Sequence, residues 1–489
     1  MAGATSRYAA VDLGAESGRV LAGAFDGERM ALQEVHRFAN TPVRTVDGLH
    51  WDVLHLYAET LAGLRAARAA GGPLQSMGID SWAADHALLD DGGRVLGEPH
   101  HYRDARTDGM IAEAARRVAP EVQFARTGKA QLPFDTVYQL LAMRLRADRR
   151  LDLAARLLMI PDLLHYWLSG EGTTEYTNAT TTGMLGIDGA WATDLIEQLG
   201  LPAGILCNPV PPGTRLGTLR AAVCDEQGVD PMAVVAPGTH DTASAVFAVP
   251  HTTREPWAYI SSGTWSLLGL ELPDAVTSEA ARRAGFTNEG GLGRTFRFLT
   301  NIAGLWLLQE CRRAWLRTGN NTGYEQLTAA AAAARPTGVV IDVDDPAFLH
   351  PTDMPAALAA HLARTGQPTN TDPVWLARAI FEGLALRYRG ALEQAEALAG
   401  VRVEVVHVVG GGSRNALLCQ MTADACGRPV LAGPAEATAL GNLLAQAVGR
   451  GELRDAAEAR LVAGRSAPVT AYAPQDRAYW DEMAGRAGS

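Results

Sequence analysis

One pattern of strands and small-residue turns occurs twice in this chain of 489 residues. Each half opens with an apolar strand, a turn of small residues, a second strand, another turn and a third strand. Later in each half, a strand leads directly into a helix. A duplicated α/β fold explains this repetition more simply than chance does. The predicted opening strands are residues 8–13, 20–25 and 30–38 in the first half, and 257–261, 265–270 and 295–299 in the second.

The strand–helix junctions of the two halves can also be matched. When the segment 429–441 is set beside residues 234–246 so that Gly433 falls on Gly238, Glu436 falls on Asp241. A helix is predicted to open at Asp241, where the positive helix end favours an ionised carboxylate. Such a carboxylate could accept the proton of a substrate hydroxyl. The alternative is that Asp241 only caps its helix.

Length and composition narrow the classes of protein that fit. A chain of this length exceeds one core, so two domains are expected, here residues 1–249 and 250–489. The net charge of −11 argues against a nucleic-acid partner, which would require a basic face. No apolar run reaches membrane-spanning length. The five cysteines are scattered without metal-binding spacing, which predicts reduced thiols in a cytoplasmic protein.

Glycine-rich turns are the candidate anion sites. Residues 14–19 contain small residues that let backbone N–H groups approach a phosphate, although a Gly-rich hairpin turn without a ligand is the commoner reading of such a pattern alone. Their spacing is not that of a dinucleotide fingerprint, because they lead into a strand. The segment around Lys129 is not a Walker A loop, since Gln123 and Ala130 occupy two of its required positions.

A third group of candidates follows the predicted strand 74–81. Trp82, Asp85 and His86 could form a ligand wall there, or Trp82 could simply pack between sheet and helix. Arg103 could bind sugar hydroxyls or form a surface pair with Asp104.

Taken together, these stretches resemble the FGGY family of carbohydrate kinases, within the actin and sugar-kinase superfamily. V-D-L-G-A-E-S-G-R and S-S-G-T-W-S resemble the two phosphate loops, V-V-G-G-G-S-R-N resembles the adenosine motif, and G-T-H-D-T-A-S-A-V resembles the loop with the catalytic Asp. The likeness covers essentially the whole chain. It implies an α/β fold of two duplicated actin-like (ribonuclease H-like) domains flanking a central cleft, with sugar bound by residues 1–249 and adenosine by residues 250–489.

The resemblance also implies a role for each matching residue. It implies ATP and Mg²⁺ as cofactors, with Asp241 as catalytic base and Asp12 and Asp241 as metal ligands. The implied nucleotide-binding residues are Gly14, Ala15, Glu16, Ser17, Gly18, Arg19, Gly263, Thr264, Asn301, Gln309, Gly410, Gly411, Gly412 and Asn415. The implied sugar-binding residues are Trp82, Ala83, Asp85, His86, Arg103, His240, Asp241 and Thr242.

Further stretches, including E-Y-T-N-A-T-T-T and T-N-E-G-G, are most similar to the kinases of L-rhamnulose, which implies phosphorylation of its 1-hydroxyl. Ala83 and His86 depart from that pattern, where a glycine and an aromatic residue are usual. The alternatives are a kinase of L-fuculose, xylulose or glycerol, and an inactive sugar sensor. The expected partner is a small-molecule sugar, with no nucleic acid or membrane, and the chain is expected to be a monomer or homodimer.

Overall fold

The computed structural model describes residues 5–253, 255–349 and 351–487 and divides into two compact units. The first unit comprises Met1–Thr252, Glu271–Phe298 and Ala437–Ala467, and the second comprises Thr253–Leu270, Leu299–Glu436 and Pro468–Ser489. The first unit thus includes two segments from the second half of the chain. The division at residues 249 and 250 stays a prediction. Among the described residues, no helix is long and apolar enough to cross a membrane.

The strands are labelled in chain order. They are β1 (Ser6–Leu13), β2 (Ser17–Phe25), β3 (Met30–Ala39), β4 (Val43–Arg44), β5 (Leu49–His50), β6 (Ser76–Ser81), β7 (His86–Leu89), β8 (Arg156–Met159), β9 (Thr174–Glu175), β10 (Pro209–Val210), β11 (Thr214–Thr218), β12 (Ala233–Ala236), β13 (Trp257–Ser262), β14 (Ser266–Leu272), β15 (Thr287–Gly290), β16 (Phe296–Ile302), β17 (Val405–Val409), β18 (Val430–Ala432) and β19 (Thr470–Tyr472).

The helices are labelled in the same way. They are α1 (Val53–Gly71), α2 (Met110–Ala115), α3 (Pro120–Thr127), α4 (Thr136–Leu145), α5 (Arg149–Leu153), α6 (Ile160–Ser169), α7 (Tyr176–Ala179), α8 (Thr193–Gln198), α9 (Ala221–Gln227), α10 (Asp241–Phe247), α11 (Glu279–Arg283), α12 (Trp306–Arg317), α13 (Tyr324–Ala333), α14 (Met354–Arg364), α15 (Pro373–Ala399), α16 (Ala416–Cys426), α17 (Ala437–Gly449), α18 (Ala456–Ser466) and α19 (Arg477–Ala487).

The main sheet of the first unit has the strand order β11-β12-β6-β1-β2-β3. Strand β1 pairs antiparallel with β2 and parallel with β6, and β6 pairs parallel with β12. The central strands β1, β6 and β12 are largely buried, and Val11, Ile79 and Val234 lie in one core. Because β1, β6 and β12 run in the same direction, their carboxyl ends meet at one edge of the sheet. That is the edge at which open α/β sheets bind ligands.

Residues at the two ends of helix α1 determine where it begins and ends. The side chain of Asp52 accepts a 2.9 Å hydrogen bond from the backbone N–H of His55, which caps the first turn. The helix ends at Gly71, and Gly72 adopts a φ of +95°. A Cβ at Gly63 would lie 2.1 Å from Val20 in β2, so only glycine lets α1 approach the sheet this closely.

In the second unit, strands follow one another in the order β16-β14-β13-β17-β18-β19. Strand β13 pairs antiparallel with β14 and parallel with β17. The order β14-β13-β17 repeats the order β2-β1-β6 of the first unit, as the repeated strand pattern predicts. The mixed α/β fold with two related units is therefore confirmed.

Two local predictions were wrong. The segment 157–170 reads in the sequence as one helix with Pro161 at its start, but residues 157–159 pair with β7 as part of strand β8, and α6 begins only at Ile160. The helix predicted over residues 301–315 begins at Trp306, since Asn301 still belongs to β16. In both cases the tertiary contacts, rather than the local pattern, set the boundary. Residues 124–138 are predicted to be loop-rich, and residues 128–135 do connect α3, which ends at Thr127, to α4, which starts at Thr136.

Candidate active site

Three aspartates gather at the carboxyl edge of the first sheet. Asp12 ends β1 and lies in register with Asp80 of β6. Ser81 bridges in parallel to His240, the residue before Asp241. Asp80 was not among the predicted site residues, although its place at the end of a buried strand repeats that of Asp12. This edge therefore carries the two predicted acidic residues and one more.

Asp12 is paired with a cation from the neighbouring strand. The guanidinium of Arg19 donates from Nε and Nη2 to Asp12 Oδ2, at 2.9 and 2.8 Å. The two residues face each other in the antiparallel register of β1 and β2. Arg19 therefore offers positive charge beside the carboxylates, as the prediction for a phosphate-binding residue requires.

Asp80 is fully buried and only half satisfied. Its Oδ2 accepts a 2.6 Å hydrogen bond from Asn442 Nδ2, while its Oδ1 has no hydrogen-bond partner among the described residues. Desolvation, followed by the negative charge of Asp12, raises its pKa well above the usual range. A cation at this edge would satisfy the orphaned oxygen and relieve the repulsion between the carboxylates.

Asp241 is the first residue of α10, and the cap position itself belongs to His240. The interpretation of Asp241 as only a cap is therefore wrong. Asp241 Oδ1 accepts from the backbone N–H and the hydroxyl of Thr242, at 2.5 and 3.1 Å. Desolvation raises the pKa of Asp241, the charge of Asp12 raises it further, and His240 opposes both. A raised pKa makes this carboxylate a better proton acceptor.

The loop that presents His240 and Asp241 is held by a buried carboxylate. Glu175 Oε2 accepts from both the backbone N–H and the hydroxyl of Thr239, each at 2.9 Å. It also accepts from the hydroxyl of Thr177, which in turn accepts from the backbone N–H of His240. Glu175 thus fixes the backbone on which the predicted base stands, and this role was not foreseen for the E-Y-T-N-A-T-T-T stretch.

The first predicted phosphate turn is a tight connection between β1 and β2. The backbone N–H of Gly14 bonds to the carbonyl of Ser17 at 3.0 Å, and a Cβ at Gly14 would lie 2.9 Å from the same oxygen. Asn40 Nδ2 donates to the carbonyl of Gly14 at 2.9 Å. Ala15 is half-buried and Glu16 is exposed, so the tip of the turn remains accessible.

Among the predicted sugar-binding residues near Trp82, Asp85 is the centre of a buried hydrogen-bond network. Asp85 Oδ2 accepts from the indole N–H groups of Trp51 and Trp82, at 2.6 and 2.9 Å, and Gln139 donates to Oδ1 at 2.9 Å. The backbone N–H of Tyr102 adds a fourth bond. Burial raises the pKa of Asp85 to about 6. With its oxygens engaged, Asp85 acts here as a fixed support for the two indole rings.

Ala83 keeps the half-exposed position that a substrate contact requires. The next residue, Ala84, has a φ of +71°, which is unusual for alanine. Its carbonyl accepts a 2.6 Å bond from the hydroxyl of Thr136, and its N–H donates to Thr181. These bonds hold the strained backbone, and such strain is concentrated at functional sites.

His86 and Arg103 lie differently from the other predicted sugar residues. His86 is buried and lines a small cavity with His100 and Arg106 that no other predicted sugar residue lines. Burial and the charge of Arg106 lower the pKa of His86 to about 3. Arg103 packs its guanidinium over the ring of Tyr102, 5.5 Å from the centroid.

In the second unit, the predicted nucleotide residues come together at the ends of β13 and β17. The carbonyls of Gly263 and Thr264 accept from the backbone N–H groups at the start of α12. Gly412 lies so close to Ser262 that a Cβ would be 2.0 Å from its hydroxyl oxygen. Gly410 and Gly412 are therefore needed for the close approach of the two strand ends, whereas a Cβ at Gly411 would meet no other atom of the described residues.

The remaining three nucleotide residues differ in how far they are engaged. Asn415 caps α16 through its Oδ1 and donates from Nδ2 to the hydroxyl of Tyr324, at 3.1 Å. Asn301 is half-buried at the end of β16. Gln309 Oε1 is buried without a hydrogen-bond partner among the described residues.

A separate group of possible metal ligands is less suited to a cation. Asp47, His50 and His100 place one ligand atom each within 4.8 Å of one another. Burial, followed by the charges of Arg106 and Arg150 among others, lowers the pKa of His100 to about 4, and these charges would also repel a divalent ion. The carboxylate edge is the better candidate.

Comparison with known proteins identifies the class of protein. Residues 7–248 match the N-terminal domain, and residues 258–450 the C-terminal domain, of the FGGY family of carbohydrate kinases. The chain belongs to this family and is an ATP-dependent sugar kinase.

Individual relatives narrow the class further. The chain is 40% identical to the rhamnulokinase of Bacteroides thetaiotaomicron over 97% of both chains. It is 41% identical to the rhamnulokinase of Pectobacterium carotovorum, covering 96% of this chain and 94% of the relative. The crystal structure of gluconate kinase from Lactobacillus acidophilus has a TM-score of 0.81 at 14% identity, covering 99% of this chain and 97% of that one, and it shows the same fold.

Proposed function

We propose that this chain transfers the γ-phosphoryl group of ATP to the 1-hydroxyl of L-rhamnulose, giving L-rhamnulose 1-phosphate and ADP. The observation that carries the chemistry is Asp241, a carboxylate with a raised pKa at the ligand-binding edge of the sheet. The choice of sugar is supported by the two rhamnulokinases that are about 40% identical over nearly the whole chain.

In the proposed mechanism, Asp241 accepts the proton of the sugar hydroxyl as that oxygen attacks the γ-phosphorus. Phosphoryl transfer depends mainly on positioning and on neutralising charge, with little covalent work for the protein. Arg19 supplies one positive charge beside Asp12. The turn at Gly14 and the turn at Gly263 are proposed to offer backbone N–H groups to the phosphates.

We propose that Asp12, Asp80 and Asp241 together hold Mg²⁺, in part through water. The unpartnered Oδ1 of Asp80 and the mutual repulsion of the three carboxylates fit a cation at this edge. When bound, Mg²⁺ supplies charge neutralisation at the phosphates. Gly410–Gly412, Asn301, Gln309 and Asn415 are proposed to surround the adenosine.

A substrate panel tests this proposal. Purified protein is assayed for ADP release with L-rhamnulose, L-fuculose, D-xylulose and glycerol, at saturating ATP and Mg²⁺. L-rhamnulose is expected to give the highest kcat/KM. A higher value for another sugar would move the proposal to that sugar, and no stimulation by any of them would favour a sugar sensor.

The proposal also covers the cellular location and the oligomeric state of the protein. We propose a cytoplasmic location, in keeping with five cysteines that all remain unpaired. A monomer or homodimer is proposed, and light scattering on the purified chain would distinguish the two.

A further inference from the structure

The imidazole of His240 lies between the proposed base and a buried group of charges. Its Nε2 is 3.4 Å from Asp241 Oδ1. Its Nδ1 faces Arg297 and Glu289, both from the segment that includes the T-N-E-G-G stretch. Behind Glu289 lies Lys129. We call Lys129, Asp135, Glu289 and Arg297 the backing cluster, and all four are buried.

The contacts inside the backing cluster are short and directional. Arg297, with no exposed surface, donates from Nη2 to His240 Nδ1 at 3.0 Å and from Nε to the carbonyl of Gly290 at 3.0 Å. Glu289 Oε2 is 3.4 Å from His240 Nδ1 and 3.3 Å from Arg297 Nη2. It is buried without a well-formed hydrogen bond among the described residues. The contact to Arg297 is thus the one that meets hydrogen-bond geometry at His240 Nδ1.

These contacts determine which ring nitrogen carries the proton. A guanidinium has only donors, so the nitrogen that accepts from Arg297 must present a lone pair. A proton on Nδ1 would place two N–H groups 3.0 Å apart. The neutral imidazole therefore carries its proton on Nε2, which faces Asp241.

The proton on His240 Nε2 distinguishes the two oxygens of Asp241, because it faces only one of them. Oδ1 faces the N–H and hydroxyl of Thr242 and the Nε2 of His240. Oδ2 has no hydrogen bond with any residue that the structure describes. The two hydrogen bonds from Thr242 hold Oδ1 and restrict the rotation of the carboxylate, His240 Nε2 approaches the same oxygen at 3.4 Å, and the other oxygen is left to accept a proton.

We propose that Arg297 is a positioning residue for the phosphoryl transfer, fixing His240 in the tautomer whose Nε2–H orients Asp241. This inference rests on the proposed role of Asp241 as the base. Arg297 itself has no exposed surface, and it acts through the ring of His240.

Lys129 completes the arrangement by balancing Glu289. It is the only lysine among 43 lysine and arginine residues in the chain. Its Nζ lies 3.3 Å from Asp135 Oδ1 and 3.8 Å from Glu289 Oε1. Desolvation alone would raise the pKa of Glu289, but the positive charges of Arg297 and Lys129 act to lower it. Because Arg297 and Lys129 balance the negative charge of Glu289, this carboxylate does not require an N–H donor at His240 Nδ1.

The direct test is the tautomer of His240 in the full-length protein. Two-dimensional ¹H–¹⁵N spectra of histidine-labelled protein separate the two neutral tautomers from the imidazolium, and His240→Gln identifies the signals of His240. We expect the Nε2–H form at neutral pH in the wild type. An Nδ1–H form or an imidazolium would overturn the proposal. This measurement needs no sugar, so it stands apart from the choice of substrate.

Two variants separate Arg297 from its neighbour Glu289. Arg297→Met is expected to lower kcat about 10- to 100-fold, a part of the ~10²–10⁴ that general-base catalysis contributes, while KM for ATP changes little. Arg297→Lys restores a donor and should recover part of the loss. Glu289→Gln keeps the size of the side chain and should lose much less kcat, with the tautomer unchanged. A greater loss in Glu289→Gln than in Arg297→Met would show that Glu289 sets the proton.

A third comparison remains valid if Arg297→Met fails to fold. The amide nitrogen of glutamine reaches the place of Nε2, whereas that of asparagine reaches the place of Nδ1. His240→Gln should therefore keep a higher kcat than His240→Asn, measured with the sugar that the wild type uses best. The opposite order would contradict the proposal. Circular dichroism and thermal unfolding provide the folding control for every variant.

Discussion

Asp12 and Asp80 lie side by side, in register, at the ends of the parallel strands β1 and β6. The burial of Asp80, followed by the negative charge of Asp12 beside it, makes ionisation of Asp80 costly. Folding stability alone does not explain the presence of two neighbouring buried carboxylates, whereas a cation-binding site does.

Substitution of Asp80 is predicted to raise thermal stability and to lower activity. Asp80→Asn should raise the midpoint of thermal unfolding in the absence of metal, because it removes a buried charge and keeps the oxygen that accepts from Asn442. The same variant should lower kcat about tenfold or more at limiting Mg²⁺ and raise the Mg²⁺ concentration needed for half-maximal activity. Unchanged Mg²⁺ dependence would remove Asp80 from the metal site.

Asp241→Asn should keep the fold and ATP binding and lose about 10²- to 10⁴-fold in kcat, the usual contribution of a general base. Because the folded pKa of Asp241 is raised, protonation inactivates the base at a higher pH than for an ordinary aspartate. The acidic fall of the wild-type kcat/KM should therefore lie at a higher pH than the ordinary aspartate pKa of 3.8 would give. The pH profile and ATP binding by calorimetry check both parts, and near-normal kcat in the variant would contradict the assignment.

Asp85→Ala should destabilise the first unit. It leaves the indole N–H groups of Trp51 and Trp82 without their acceptor inside the protein, at a cost of about 3 kcal/mol. Asp85→Asn is the matched control, since it keeps one accepting oxygen and should cost less. Urea unfolding of the three proteins measures the difference, and equal stability would mean that water replaces the lost acceptor.

Ala83→Gly should change the ranking of sugars, while His86→Phe should not. The methyl group of Ala83 is half-exposed, and one methylene in a binding pocket is usually worth ~1–3 kcal/mol, a tens-fold change in kcat/KM. His86 lines a separate cavity with His100 and Arg106. The same sugar panel, run on both single variants and the double variant, is the measurement. An unchanged ranking in Ala83→Gly would exclude position 83 as a determinant of specificity.

His86 should instead affect stability in acid. Its pKa is lowered to about 3 in the folded chain, below the 6.5 of the unfolded chain, so its protonation favours unfolding. Stability is fully present above pH 6.5 and is lost as the pH falls towards 3, by about 2 kcal/mol at pH 5. His86→Phe removes this loss, so the gap in unfolding free energy between pH 7 and pH 5 should be smaller than in the wild type. An equal gap would show that the ring is solvated.

Much of the fold could be predicted from the sequence because its signals are local. Apolar runs broken by small-residue turns marked β1, β2, β13 and β14, and their repetition marked the duplication. Where the local signal was ambiguous, the prediction failed. The apolar run at residues 157–159 reads equally well as helix or strand, and only its pairing with β7 decides.

For the candidate site, the sequence by itself determined which motif residues are available, including Asp12, Asp241 and the glycine turns. Only the tertiary structure decided their electrostatic setting. Asp80, Asn442 and Arg297 lie far from Asp241 in sequence, and no short-range pattern predicts that they share its surroundings. Burial, the strand register and the neighbouring charges set pKa values and tautomers, and these depend on distances that exist only after the chain has folded.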